Sequence, residues 1–224
     1  MIGSRGHLRT HDLLVLAGLL GAAAVALTAW VAYSGVPLPG DLWLTHRVQD
    51  ARALDRNAGL INGLAGWRWL ALAAVVALFV LGRTVTWHRV HRSKLRAEAL
   101  FASAATVVLL YGDILLKELV RSPRPVAELG VRIDEFQQSY GFPSGHVYGD
   151  VLVFGAAAVY ARLWLPRRLV IPVRVVCFAV IVLAGPARVA VGAHWPSDTI
   201  GGYLWGAFAL CLAIVFGRWA TSRA

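Results

Sequence analysis

Six stretches of this chain are too apolar to be left in water: Leu13–Tyr33, Trp69–Leu81, Ala97–Leu116, Val147–Leu165, Leu169–Ala184 and Thr199–Phe216. A helix needs roughly 20 residues to cross the hydrocarbon core of a bilayer. Inside that core the backbone must satisfy its own hydrogen bonds, which leaves only helices and closed barrels. Because the runs are continuous and not alternating, they predict an all-α fold: a six-transmembrane-helix bundle. Of the 224 residues, 58% are hydrophobic and 15% charged, so six spans leave only short loops. One membrane domain over residues 1–224 is expected, with no room for a separate soluble domain. The second run is short and is expected to extend through Trp67 or Arg83. The first follows Arg5 and Arg9 as a signal peptide's apolar region would, but it is too long for one and reads as an uncleaved anchor.

Charge supplies the orientation. The net charge is +10. In a soluble chain that would suggest nucleic acid; in a membrane protein it is better spent on cytoplasmic loops and anionic lipid, and no nucleic-acid partner is expected. With the N-terminus inside, the inner segments carry Arg5 and Arg9, the cluster Arg83–Arg96, then Arg162, Arg167, Arg168, Arg174, Arg218 and Arg223. Only Asp12 and Glu98 oppose them there. Both termini are therefore expected in the cytoplasm of a bacterial-type plasma membrane. Trp67, Trp69, Trp87, Trp164, Trp195 and Trp219 lie near span ends, as an interfacial belt would. Between the first two spans, Leu44, Val48, Ala51 and Leu54 recur at helical spacing among charges, so Asp41–Ala65 reads either as an amphipathic interfacial helix or as a plain connector. Cys177 and Cys211 sit in apolar runs and read as small core residues.

Ionisable groups at membrane depth are costly and need a reason. Here they gather in three places. Asp113, Lys117 and Arg121-Ser122-Pro123-Arg124-Pro125 end the third span. Phe142-Pro143-Ser144-Gly145-His146 and Asp150 begin the fourth. Arg188, His194, Trp195, Pro196 and Asp198 join the fifth to the sixth. In the topology drawn from loop charge, all three fall at the outer interface. Lys117, Arg124 and Arg188 are cations suited to phosphate oxygens. Pro143-Ser144-Gly145 and Trp195-Pro196 each open a helix whose free N–H groups favour an anion. Of two histidines, one can attack phosphorus and the other can protonate a leaving oxygen. Asp198, four residues after His194, can hold the far ring nitrogen of that imidazole.

These residues resemble a known family. Lys117 with Arg124-Pro125, then Pro143-Ser144-Gly145-His146, then Arg188 with His194 and Asp198 are similar to the three-part signature of the type 2 phosphatidic acid phosphatases, a group that itself resembles vanadium-dependent haloperoxidases and bacterial acid phosphatases. The resemblance implies a metal-independent membrane lipid phosphatase, without a cofactor, working through a phosphohistidine. It implies His194 as nucleophile, Asp198 as its partner and His146 as general acid, with Lys117, Arg124, Ser144, Gly145 and Arg188 on the phosphate. The family's third block usually opens with Ser before the Arg; Ala187 stands there instead and removes one hydroxyl donor. A lipid phosphate is the expected substrate: a polyprenyl pyrophosphate, phosphatidic acid or phosphatidylglycerol phosphate. The Glu128–Tyr140 loop, short and partly acidic, would border the headgroup.

Blander readings stand beside these. The three cations could anchor lipid headgroups in a non-catalytic binder or transporter, although gripping needs no acid–nucleophile pair. A metal site of His146, His194 and Asp198 would place a divalent ion among three cations. Asp113, one turn before Lys117, reads as a structural ion pair. Asp150 could raise the pKa of His146 or pair with an arginine. Arg121 suits headgroup contact and catalysis equally.

Overall fold

The computed structural model describes residues 9–51, 57–59, 63 and 94–223. Its elements are α1 (Thr10–Ser34), α2 (Asp41–Gln49), α3 (Lys94–Leu109), α4 (Gly112–Val120), a 3₁₀ turn at Ala127–Leu129, α5 (Gly145–Trp164), α6 (Arg167–Ala190) and α7 (Pro196–Arg223). No strand occurs among the described residues. Helices thus stand at five of the six apolar runs; Trp69–Leu81 lies outside the described residues, together with Trp67, Trp87 and most of Arg83–Arg96. Four segments are long and apolar enough to cross a membrane: Thr10–Ser34, Glu98–Val120, Arg167–Ala190 and Pro196–Ser222. α5 carries His146 and Asp150 in its first two turns and Arg162 near its end.

α7 is the central helix, packed by α1, α3, α5 and α6. Its glycines let α5 come close. A Cβ on Gly202 would stand 2.8 Å from the Ser144 carbonyl oxygen, and one on Gly206 would stand 2.9 Å from the Val151 side chain. Such small-residue spacing is how helices associate where lipid, as apolar as they are, gives no hydrophobic drive. At one end of the bundle Leu13, Ala17, Cys211 and Ile214 cluster. Here Arg218 donates to Glu98 and, from Nη1, to the Thr10 hydroxyl, both at 3.4 Å. At the other end Val31, Leu38 and Phe142 cluster. The start of α1 and the end of α7 therefore share one end of the bundle, and the polar motifs lie at the opposite one. Ile171, Val175 and Phe178 on α6 are exposed apolar side chains of the kind that face lipid.

Two gaps in the helical hydrogen bonding are filled by tyrosines. The third apolar run bends at Leu110–Tyr111, where the Tyr148 hydroxyl donates to the Leu109 carbonyl at 2.7 Å. A Cβ on Gly112 would come within 2.7 Å of that hydroxyl. In α6, Pro186 has no N–H for the Val182 carbonyl. The Tyr203 hydroxyl, 2.9 Å from the Ile181 and Val182 carbonyls, donates into this gap and accepts the Gly185 N–H at 2.9 Å. Arg188 lies half a turn beyond. Replacing Tyr203 by Phe should leave a carbonyl and an N–H unpaired and cost about 1–3 kcal/mol. A lower thermal unfolding midpoint in detergent would register it; an unchanged midpoint would show that water or rearrangement restores the bonds.

α2 begins the segment read as an amphipathic interfacial helix or a plain connector. It ends at Gln49, and the residues that turn inward are Asp41 and Thr45, whereas Trp43 and Leu44 are exposed and Arg47 lies over the Trp43 ring at 5.6 Å. Hydrogen bonding and not apolar burial seats it. Asp41 accepts the Ser197 N–H at 2.9 Å, the Ser197 hydroxyl at 2.7 Å and the Leu38 N–H at 2.8 Å. The rest of the predicted Asp41–Ala65 helix falls mostly outside the described residues.

Candidate active site

Three loops meet at the motif end of the bundle, each tied to another by backbone. The Gly141 N–H donates to the Ser122 carbonyl at 2.8 Å, joining the first motif to the approach of the second. The Ser144 N–H donates to the Asp198 carbonyl at 2.9 Å, joining the second to the third. Local sequence explains the start of α7. Pro196 stands at its first position, where a missing N–H costs nothing. Asp198, two residues on, reaches back so that its Oδ2 accepts the Trp195 N–H at 3.0 Å, as in a capping box. The same oxygen lies 3.3 Å from His194 Nδ1. One carboxylate therefore caps a helix and orients a ring.

His194 is completely buried. With Nδ1 on a carboxylate, that nitrogen carries the proton and Nε2 keeps its lone pair. Nε2 faces Arg124 Nη1 at 3.1 Å. The rest of the Arg124 guanidinium is spread over protein acceptors: the Ser139 carbonyl at 2.6 Å, the Ser139 hydroxyl at 3.0 Å, the Tyr140 carbonyl at 3.2 Å and the Ala193 carbonyl. Arg188, at the end of α6, is 1% exposed and holds Glu135 with both terminal nitrogens, at 2.6 and 3.1 Å. Lys117 on α4 lies 4.0 Å from Asp113, the ion pair expected from their spacing. Ser144 stands at the N-cap position of α5, buried and with its hydroxyl unpartnered among the described residues, as is Arg188 Nε. Gly145 begins α5, and His146 follows it half-buried.

Electrostatics shows that these groups form one cluster. Burial first, then the charges of Arg124, Arg188, Lys117 and His146, hold His194 well below the ordinary imidazole value of 6.5. The Arg124 guanidinium is lowered by burial and Arg188, against the pull of Asp198 and Glu135. Burial would raise Glu135, but its hydrogen bond and ion pair with Arg188 outweigh that and lower it. All eight residues singled out from the sequence thus fall at one end of the fold, on α4, the loop after it, the start of α5, the end of α6, the loop that follows it and the start of α7. Asp150 is buried one turn after His146, and its charge acts on Tyr203. Arg121 closes α4 in a left-handed conformation and is exposed.

The pocket leaves no room around Asp198. A Cβ on Gly141 would stand 2.8 Å from Asp198 Oδ2 and 3.3 Å from the Pro123 carbonyl oxygen. Gly141→Ala should push that carboxylate off His194 and lower kcat by on the order of 10–100-fold. A variant with full turnover would show that the Ser122–Gly141 clip yields instead.

Sequence reasoning did not find Glu135 on Arg188, the Ser139 and Tyr140 acceptors of Arg124, Asp41 on Ser197, or Gln49. The Gln49 amide donates to the Arg132 carbonyl at 2.8 Å and accepts the Arg132 N–H at 3.1 Å. The one available signal was the acidity of the Glu128–Tyr140 loop beside a cationic site.

Comparison with known proteins agrees with the geometry. Residues 97–222 match the model of the PAP2 superfamily. Over 173 residues the chain is 32% identical to a lipid A 1-phosphatase of Rhizobium johnstonii, covering 71% of this chain and 66% of that protein, just under two thirds of its length. Over 180 residues it is 31% identical to a lipid A 1-phosphatase of Rhizobium etli, covering 74% and 73%. Its fold is similar to the crystal structure of a transmembrane PAP2-type phosphatidylglycerolphosphate phosphatase from Bacillus subtilis, with a TM-score of 0.65 at 21% identity, over 88% of this chain and 93% of that one.

Proposed function

The chain belongs to the PAP2 superfamily, and on that premise we propose that this membrane lipid phosphatase hydrolyses a lipid phosphate through a phosphohistidine on His194, at the extracytoplasmic face. The observation that carries the reading is the His194 ring itself, its Nδ1 on Asp198 and its Nε2 among cations. A lipid enters sideways with its tail in the bilayer. Its phosphoryl oxygens take Arg188, Arg124, Lys117, the Ser144 hydroxyl and the first N–H groups of α5 at Gly145. Ser144 and Arg188 Nε, buried and unpartnered among the described residues, are donors suited to this anion.

His194 Nε2 forms a bond to phosphorus as the bond to the lipid oxygen breaks, and His146 gives that oxygen its proton. The imidazole becomes cationic in the act, and the Asp198 carboxylate stabilises it. Water then attacks the phosphohistidine, returning its proton to His146 and releasing phosphate. No metal is assigned a part, because the cations already neutralise the developing charge.

We read residues 1–224 as one domain with six spans, Trp69–Leu81 being the second. Loop charge puts both termini in the cytoplasm, and the meeting of Thr10 with Arg218 opposite the motifs fits that arrangement. The relatives' names add the 1-phosphate of lipid A to the substrate classes of polyprenyl pyrophosphate, phosphatidic acid and phosphatidylglycerol phosphate. Phosphate release by the detergent-purified protein, measured over a panel of these four, tests the reading. Turnover of at least one, blocked by vanadate, is expected. Binding of all without release would make the protein a lipid-phosphate carrier.

A further inference from the structure

Of the three cations, Arg188 is the most deeply buried, and a carboxylate already occupies it. Glu135 presents both oxygens to both terminal nitrogens of Arg188, the two-pronged geometry that a phosphoryl group adopts on arginine. Resting on the reading of Arg188 as a phosphate ligand, we propose that Glu135 is the resident counter-ion of the phosphate seat. The substrate's phosphoryl group displaces it from Arg188, and it returns to expel the product phosphate.

Three features support this. First, a buried guanidinium without a counter-charge is costly, and Arg188 is 1% exposed beside the like charge of Arg124. Lys117 has Asp113 and Arg124 has four protein acceptors, so Glu135 fills this part for Arg188. Second, the loop is pinned just before Glu135, and two residues on, the Gln137 amide donates to Glu135 Oε1 at 2.6 Å as a second, neutral partner. The Asp134 N–H donates to the Val191 carbonyl at 3.0 Å, and Gln49 grips Arg132 from both sides. Phe136, immediately after, is 83% exposed. The Glu135 side chain is itself 38% exposed, so it can swing into water while its backbone stays anchored beside the site. Third, the exchange favours an anchored substrate over a free product. A tethered carboxylate competes at an effective concentration in the millimolar range. A lipid phosphate retains its tail contacts against that competitor, whereas inorganic phosphate has only the seat.

The test uses the full chain in detergent with inorganic phosphate and vanadate as probes. In Glu135→Gln both should inhibit more tightly, by on the order of tenfold. KM for the lipid phosphate should fall, and kcat should fall with it as product leaves more slowly. Glu135→Ala should move all constants in the same direction, and Glu135→Asp, which keeps the charge, should lie nearer wild type. A purely structural residue would not tighten binding when removed. Unchanged or weaker phosphate and vanadate inhibition in Glu135→Gln and Glu135→Ala, with wild-type turnover intact, would overturn the proposal. A wild-type protein that releases no phosphate from any lipid phosphate would instead remove the underlying phosphatase reading, and this inference with it.

Discussion

Purified His194→Ala is expected to release no phosphate from any lipid phosphate, since its Nε2 is the atom assigned to bond phosphorus. His146→Ala should behave differently. Its nucleophile is intact, but the leaving oxygen departs without a proton, which costs on the order of 10²–10⁴-fold. The two variants separate the roles more sharply if phosphoprotein is measured as well as phosphate. With a substrate whose leaving group needs no proton, such as an aryl phosphate, His146→Ala should recover most of the first step and accumulate the phosphohistidine, because the same residue activates the water in the second. His194→Ala should never be labelled. Labelling of His194→Ala, or equal rates for it and wild type, would sink the mechanism.

The second large effect belongs to Asp198. In Asp198→Asn the amide oxygen can still accept the Trp195 N–H, so the helix start survives while the negative charge behind the imidazole is lost. The expected fall in kcat is up to the order of 10⁴-fold, with a thermal unfolding midpoint close to wild type. A midpoint that collapses together with activity would mean that capping, not charge, is the main contribution of this residue. The pH profile supplies an independent reading. The proposed attack needs a neutral His194. Burial and the neighbouring cations depress its pKa below 6.5, so the neutral form persists as the pH falls through that value and is lost only below it. The acid limb of kcat/KM should therefore lie beneath the ordinary imidazole range. Arg188→Ala removes one of the depressing charges and should move that limb upward, whatever it does to affinity.

How much of this was legible beforehand depended on the range of the interaction. Five of the six apolar runs foretold helices at the right places, because a span's length and composition answer to the bilayer and not to any neighbour. The limits were less legible. α3 and α4 carry the third run on to Val120 past a break that only Tyr148, from another helix, explains. The missing N–H in α6 was written in Pro186, but Tyr203, which takes up the freed carbonyl, was not. Nothing in the stripe of Leu44, Val48 and Ala51 marked Asp41 and Thr45 as the buried residues of α2, with Leu44 left exposed. Periodicity records which residues share a side. It does not record which side meets hydrogen-bonding partners.

The candidate site divides along the same line. His194 and Asp198 were readable as a pair because four residues and a helix start bring them together by local geometry, and the Ser144-Gly145-His146 turn is local as well. Residue types and short spacings alone therefore determined a membrane-embedded helical chain with a cationic, histidine-bearing site. Glu135 lies 53 residues from Arg188, and Asp41 lies 156 from Ser197. Only the packed bundle decided that these carboxylates, among all those in the chain, would stand on those partners, since an ion pair between distant segments forms where the folded backbone delivers both charges to one place.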